Sequence, residues 1–172
     1  MKRFSDHIPS AAPERWRVTL ILDNLRSAHN VGNILRIAEG LQLDVIACGY
    51  TPCPPHPVLA KTAMECDTLV NCRSCASAVE AIELVRKENC RAVFALEHNN
   101  ESCEVWAVEN IPMPLALVLG NEAKGISPEA LALCDRVVEL PMLGVKASIN
   151  VGNAAAAALY AIYAKYKEQI KL

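Results

Sequence analysis

Aromatic side chains are scarce, eight among 172 residues, a poverty that disfavours an antiparallel sandwich and suits helices laid on a buried sheet. Long hydrophobic runs are missing too: none reaches the roughly 18 residues that cross a bilayer. The first residues, interrupted by Pro9 and Pro13, lack the apolar centre of a secretory signal. The expected location is cytoplasmic, with no membrane partner. An excess of one sign of charge is nearly absent, 17 Lys and Arg standing against 19 Asp and Glu for a formal net charge of −2, whereas a general nucleic-acid coat relies on a large excess of Lys and Arg. Neither G-x-G-x-x-G nor a complete G-x-x-x-x-G-K-[ST] occurs, because Ile126 follows Gly120-Asn121-Glu122-Ala123-Lys124-Gly125 where a lysine would be needed. The usual dinucleotide and phosphate loops are thereby excluded.

Apolar residues make up 52% of the chain, enough at this length for one domain with a substantial core. The expected organisation is a basic polar leader over 1–16 and a single domain over 17–172. Eight cysteines scattered through such a chain read as reduced thiols rather than a disulfide framework. Cys72-Arg73-Ser74-Cys75 has no second pair at zinc spacing, and Cys66 makes a poor third ligand. These are expected to be packing or surface cysteines, and no metal is expected. Met1 to Arg36 nevertheless carries six bases against three acids, a basic stretch compatible with a specific RNA site.

Short apolar runs bounded by turn residues predict strands over Arg17 to Asp23, Leu43 to Gly49, Arg91 to Leu96, Leu115 to Leu119 and Arg136 to Leu140. A helix is predicted to open at Asn30. Its Ile34, Ile37, Ala38 and Leu41 share one stripe, and Arg36 points roughly 150° away from the stripe's centre, off the core. Further helices are predicted near Val58 to Met64, over Ala76 to Glu88, after Ser127-Pro128-Glu129 and over Asn150 to Lys167. Strands alternating with helices imply an α/β fold with a parallel sheet covered on both faces. In the last helix, Ala154 to Ala158 fits a core-facing helix and a dimer seam equally. Tyr160, Tyr163 and Tyr166 are expected to pack at the domain edge rather than stack on bases.

In open α/β sheets ligands gather beyond the carboxyl ends of the strands, and three loops there are rich in functional groups. The first, Asp23 to Arg36, presents Asn30, Asn33 and Arg36 within two turns of a helix that needs one cap. The second is Gly120 to Gly125, whose glycines allow close backbone approach to a flat ligand. The third, Leu140 to Asn153, places Ser148 and Asn150 two apart, on one side of an extended segment.

Together the motifs Asn30-x-Gly32-x-x-x-Arg36, Leu117-Val118-Leu119-Gly120-Asn121-Glu122-x-x-Gly125-Ile126 and Leu140-Pro141-Met142-x-Gly144-x-x-x-Ser148-Ile149-Asn150-Val151 resemble the three ordered motifs of the SpoU/TrmH RNA 2′-O-ribose methyltransferases of the SPOUT superfamily. The resemblance runs from about Thr19 to Tyr163. It implies a parallel sheet flanked by helices with a C-terminal deep trefoil knot, a homodimer, S-adenosyl-L-methionine as cofactor and tRNA or rRNA as partner. Carried over by position, Leu96, Gly120, Leu140 and Ile149 would hold the cofactor, with Met142 and Gly144 lining the adenine pocket. Arg36 matches the catalytic arginine, and Asn30, Glu122, Ser148 and Asn150 match polar active-site positions. RNA recognition would then draw on the basic leader, Arg26, the proline-rich loop with His56 and Lys61, and the second subunit. Departures from the pattern are Ile37 after the arginine and Gly152-Asn153 after Asn150-Val151.

The residue types suit the chemistry. A ribose 2′-hydroxyl is a poor nucleophile, so the protein must align it and stabilise the forming oxyanion. A guanidinium titrates at roughly 12.5 to 13.8, and emptying one at pH 7 costs about 7 to 9 kcal/mol. Arg36 is therefore read chiefly as a binder of phosphate and alkoxide rather than as a base. Two alternatives stay open: a catalytically silent SPOUT module that binds RNA or cofactor, and a SPOUT base methyltransferase. A flavodoxin-like or nicotinamide-binding protein would need a phosphate loop after the first strand, where Asn24 to Asn33 holds one glycine.

Overall fold

The computed structural model describes residues 12–13 and 15–171, so most of the expected leader lies outside the described residues. The elements run β1 (Val18–Asp23), α1 (Ala28–Leu41), β2 (Asp44–Cys48), α2 (Pro57–Thr62), α3 (Cys66–Leu69), β3 (Cys72–Cys75), α4 (Ala78–Lys87), β4 (Ala92–Leu96), β5 (Cys103–Glu104), a 3₁₀ turn (Val105–Ala107), β6 (Leu115–Leu119), α5 (Pro128–Leu131), β7 (Arg136–Glu139) and α6 (Val151–Gln169). All seven strands join one sheet in the order β3-β2-β1-β6-β4-β7-β5, and each pairing is parallel. The expected parallel sheet flanked by helices is present.

Alternation along each strand divides the core. Leu20 and Leu22 of β1 meet Val31, Ile34, Leu35 and Ala38 of α1 and Ala155, Ala158, Leu159 and Ile162 of α6. Ile21 of the same strand faces the other way, toward Ala78, Ala81, Ile82 and Val85 of α4 and Ala130 of α5. Covered on both sides, β6 is buried at all five positions, as its uninterrupted apolar run requires. Trp16 closes the bottom of the first layer: its indole N–H donates to the carbonyl of Leu41 at 2.8 Å. The ring meets Tyr163 edge-on at 5.2 Å and Tyr166 at 5.7 Å. Those two tyrosines are thus occupied by packing, as expected, while Tyr160 points to solvent.

Two strands escape sequence reasoning, β3 and β5, and both are the outermost in the sheet. An edge strand is half solvated, so Cys72-Arg73-Ser74-Cys75 needs no apolar run to pair with Val45 to Cys48. The C-x-x-C is simply this edge, and Cys72 packs against Cys53 with the sulfurs 3.8 Å apart. All eight cysteines are free thiols. Among the described residues no group of three or more His, Cys, Asp or Glu is placed to hold a metal. No helix among them is long and apolar enough to cross a membrane.

Burial raises the Cys48 thiol to about 12, with help from nearby Cys75 and Asp23, and raises Cys134 to about 11. Since the thiolate is the reactive form, iodoacetamide at mildly alkaline pH should modify Cys48 and Cys134 far more slowly in the native protein than after unfolding in guanidinium. Peptide mass spectrometry would read the difference, and equal rates would contradict this packing.

Candidate active site at the carboxyl edge of the sheet

Because every strand is parallel, the loops after β1, β4, β6 and β7 emerge on one edge. The loop after β1 begins with Asp23, buried at 2% exposure, whose Oδ2 accepts the N–H and hydroxyl of Ser127, both at 2.7 Å. A charge at that depth must be hydrogen-bonded, and this one fixes the start of α5. Ser27 caps α1, accepting the N–H of Asn30 at 3.3 Å, so the helix opens at Ala28, two residues before the sequence expectation.

Glu122 in the loop after β6 binds the loop after β1. Its Oε2 accepts the N–H of Arg26 at 3.0 Å, and its Oε1 accepts the N–H of Ser27 at 3.0 Å and the side-chain amide of Asn30 at 2.9 Å. Asn30 in turn accepts the side-chain amide of Asn150 at 2.9 Å. Asn150 is also the cap of α6, accepting the N–H groups of Gly152 at 2.9 Å and Asn153 at 3.3 Å. One polar chain, Glu122 to Asn30 to Asn150, therefore joins all three loops singled out in the sequence. Burial alone would raise the Glu122 carboxyl, but the donors from Arg26, Asn30 and Ser27 outweigh it and hold it below its ordinary value. The Glu122 side chain is only 19% exposed, although its backbone faces solvent.

The loop's glycines work inside the turn. A Cβ on Gly120 would lie 2.4 Å from the backbone of Gly125, across the bridge between Asn121 and Gly125, and Gly125 has φ +70°. Only glycine fits either place. The expected close approach is thus spent on the chain itself as well as on the cavity wall. Asn121 completes the turn. Its Oδ1 accepts the N–H groups of Ala123 and Lys124, and its Nδ2 donates to the carbonyl of Asn24 and the hydroxyl of Tyr50.

Beside this chain lies a cavity of about 680 Å³ lined by Asn30, Leu96, Gly120, Glu122, Leu140, Met142, Ser148, Ile149 and Asn150 among others. Nine of the eleven residues carried over by resemblance meet there. The two exceptions are Gly144, where a Cβ would touch nothing within 4 Å, and Arg36, exposed on α1 and without a hydrogen bond or ion pair among the described residues. His56, expected to be a surface or hydrogen-bonding residue, caps α2 through Nδ1.

Sequence reasoning missed the far wall, which carries Glu97, His98 and Glu139. Glu97 accepts the N–H of Ile126 at 3.1 Å. Glu139 accepts the hydroxyl of Ser102 and pairs with His98, and these partners lower its carboxyl. The available signal was position: each follows or ends a strand whose carboxyl end opens on the same edge. Counting formal charge, the lining holds Glu97, Glu122 and Glu139 against Lys124.

Residues 17–160 match the model of the SpoU rRNA Methylase family. YacO of Bacillus subtilis, named for the TrmH family of tRNA/rRNA methyltransferases, is 29% identical over 155 residues, 85% of this chain and 58% of that protein. The tRNA (guanosine(18)-2′-O)-methyltransferase of Thermus thermophilus is 31% identical over 143 residues, 83% of this chain and 72% of that protein. Among solved structures, the SpoU methyltransferase AviRb from Streptomyces viridochromogenes shares the fold with a TM-score of 0.79 at 24% identity, over 92% of this chain and 62% of that one. The chain spans less than two thirds of the length of YacO or AviRb. With its sheet, its three-loop edge and most of its length accounted for by one family model, the chain belongs to the SpoU rRNA methylase family.

Proposed function

We propose that this chain is an RNA methyltransferase that uses S-adenosyl-L-methionine to methylate a ribose 2′-hydroxyl in tRNA or rRNA, and that it works as a homodimer. The observation that carries the reading is the cavity at the carboxyl edge, with three carboxylates and one lysine in its wall. Its size is that of a small-molecule site, and its charge favours a cationic ligand over a pyrophosphate. Backbone at Leu96, Gly120, Leu140 and Ile149 would hold the cofactor, with Met142 beside the adenine; Gly144, away from the lining, drops out of the set. S-Adenosylmethionine, when bound, supplies a methyl group activated on a sulfonium.

The rest of the work falls to side chains. Glu122, Asn30 and Asn150 fix the three loops around one point, and Ser148, exposed on the wall, offers a hydroxyl to the ribose. Arg36 lies six residues along α1 from Asn30, roughly 9 Å at 1.5 Å per residue. It stands outside the cavity, and its role would be to bind the RNA phosphate and the developing alkoxide rather than the cofactor. The hydroxyl proton then passes to phosphate or water. For the homodimer, α6 offers the exposed stripe Ala157, Tyr160 and Ala164, opposite its buried Ala155, Ala158 and Ile162.

Three outcomes are expected. S-Adenosylhomocysteine at about 100 times its Kd should stabilise the protein by about 2.7 kcal/mol through mass action, raising the thermal midpoint, while NAD should not; a response to NAD alone would sink the assignment. Nucleoside mass spectrometry of tRNA and rRNA from cells with and without the gene should lose one 2′-O-methylated nucleoside. Complementation with Arg36→Ala should leave it missing, through a fall of roughly 10²- to 10³-fold in methyl transfer, and Arg36→Lys should restore part; a missing base-methylated nucleoside would overturn the ribose assignment.

Glu122→Gln can be tested without RNA. Because the Glu122 carboxyl is lowered in the folded state, its contribution is present above the ordinary carboxylate value of about 4.3 and is lost as pH falls through the folded value. The Gln variant should melt lower near neutrality and lose the gap to wild type in acid. A constant gap across pH would show that the charge contributes nothing.

A further inference from the structure

We propose that Tyr50 is a stacking platform on which a base of the RNA substrate lies, a role that rests on the RNA methyltransferase reading above. Three aromatic side chains are substantially exposed among the described residues: Tyr50, Trp106 and Tyr160. Trp106 sits in the 3₁₀ turn after β5, and Tyr160 lies on the outer stripe of α6. Trp106 follows the outermost strand and its indole bonds the neighbouring Glu104, whereas Tyr50, just after β2, is hydrogen-bonded to Asn121 in the cluster of loops that forms the candidate site.

Tyr50 is 58% exposed as a residue, yet its side chain is not loose. The hydroxyl accepts the side-chain amide of Asn121 at 3.0 Å. That amide also donates to the carbonyl of Asn24 at 2.6 Å, so both of its donors are committed. Asn121 is 6% exposed and adjoins Glu122. The aromatic ring is therefore fixed at its polar end to the same turn that clasps Asn30, while a broad apolar area is left in water. Ordinary packing does not call for that arrangement, since burying the ring would recover its hydrophobic free energy.

The occupant that fits is a nucleobase. A base presents a π-face whatever its identity, and stacking on a fixed aromatic side chain supplies affinity without sequence readout. The flank supports it: the side chain of Arg26 is 62% exposed beside Glu122, offering a cation for the adjoining phosphate. Tyr50 does not line the cavity. The ring thus acts on RNA and leaves the cofactor untouched.

Filter binding of a mixture of bulk tRNA and fragmented rRNA to protein saturated with S-adenosylhomocysteine tests this. Tyr50→Leu should weaken RNA binding by roughly 5- to 100-fold. Tyr50→Phe should stay within a few-fold of wild type, and the thermal shift with S-adenosylhomocysteine should be unchanged in both. Tyr50→Trp should add an indole signal that RNA quenches beyond the response of native Trp16 and Trp106. Stacking is overturned if Tyr50→Leu binds RNA as wild type does, if Tyr50→Phe is as weak as Tyr50→Leu, or if the indole at 50 ignores RNA. Wild-type protein that responds to S-adenosylhomocysteine but binds no RNA would overturn stacking and substrate class together. Wild type that does neither would bring down the enzyme reading itself.

Discussion

Where β1 gives way to α1, the backbone N–H groups of Arg26 and Ser27 have no strand or helix partner, and the carboxylate of Glu122, almost a hundred residues on, takes both. Unanswered donors at a helix start are costly when covered. The same carboxylate takes the amide of Asn30, and through Asn30 it reaches Asn150 and the first turn of α6. Remove Glu122 and three separately folded loops lose their common partner. The site exists because one anion satisfies the ends of elements that the chain order keeps far apart.

That anion is within reach only because of where β6 enters the sheet. It pairs with β1 on one side and β4 on the other, so its loop rises between those after β1 and β4. Asp23 and Glu97 then each lend a carboxylate to the segment after Gly125, the first to Ser127 and the second to Ile126. The approach of α6 to α1 is just as tight. A Cβ on Gly152 would meet the amide of Asn33 at 2.6 Å, so the departure at Gly152 from the family pattern answers a contact with α1. Local residue choice and global topology agree at each of these points.

The central strands and most helices were legible because burial on both faces leaves an unbroken apolar run, as at Leu115 to Leu119, and burial on one face leaves a stripe, as at Ile34, Ala38 and Leu41. The edge strands β3 and β5 left no such trace, since half their surface is wet and their pairing partners carry the pattern. Polar site residues stood out where one function could not account for them. Asn150 is both a helix cap and the partner of Asn30, and the sequence showed a surplus of caps there. Glu97, His98 and Glu139 gave no surplus. Each is a single charged or polar residue at a strand end, indistinguishable in sequence from a solvated neighbour, and only the convergence of strand ends makes them one wall.

Charge divides the edge into two kinds of surface. The cavity wall is acidic, with Glu97, Glu122 and Glu139, and a polyanion would be repelled from it. Arg36 and Arg26 are exposed on the side of α1 and its leading loop, outside the cavity or at its rim. A polyanion would therefore be steered to the arginine side, while a small cation would be drawn inward. The polar chain from Glu122 to Asn150 lines the acidic cavity and also holds the backbone of Arg26, so it lies between the two fields. Raising the acidity of the cavity would strengthen one attraction and weaken the other.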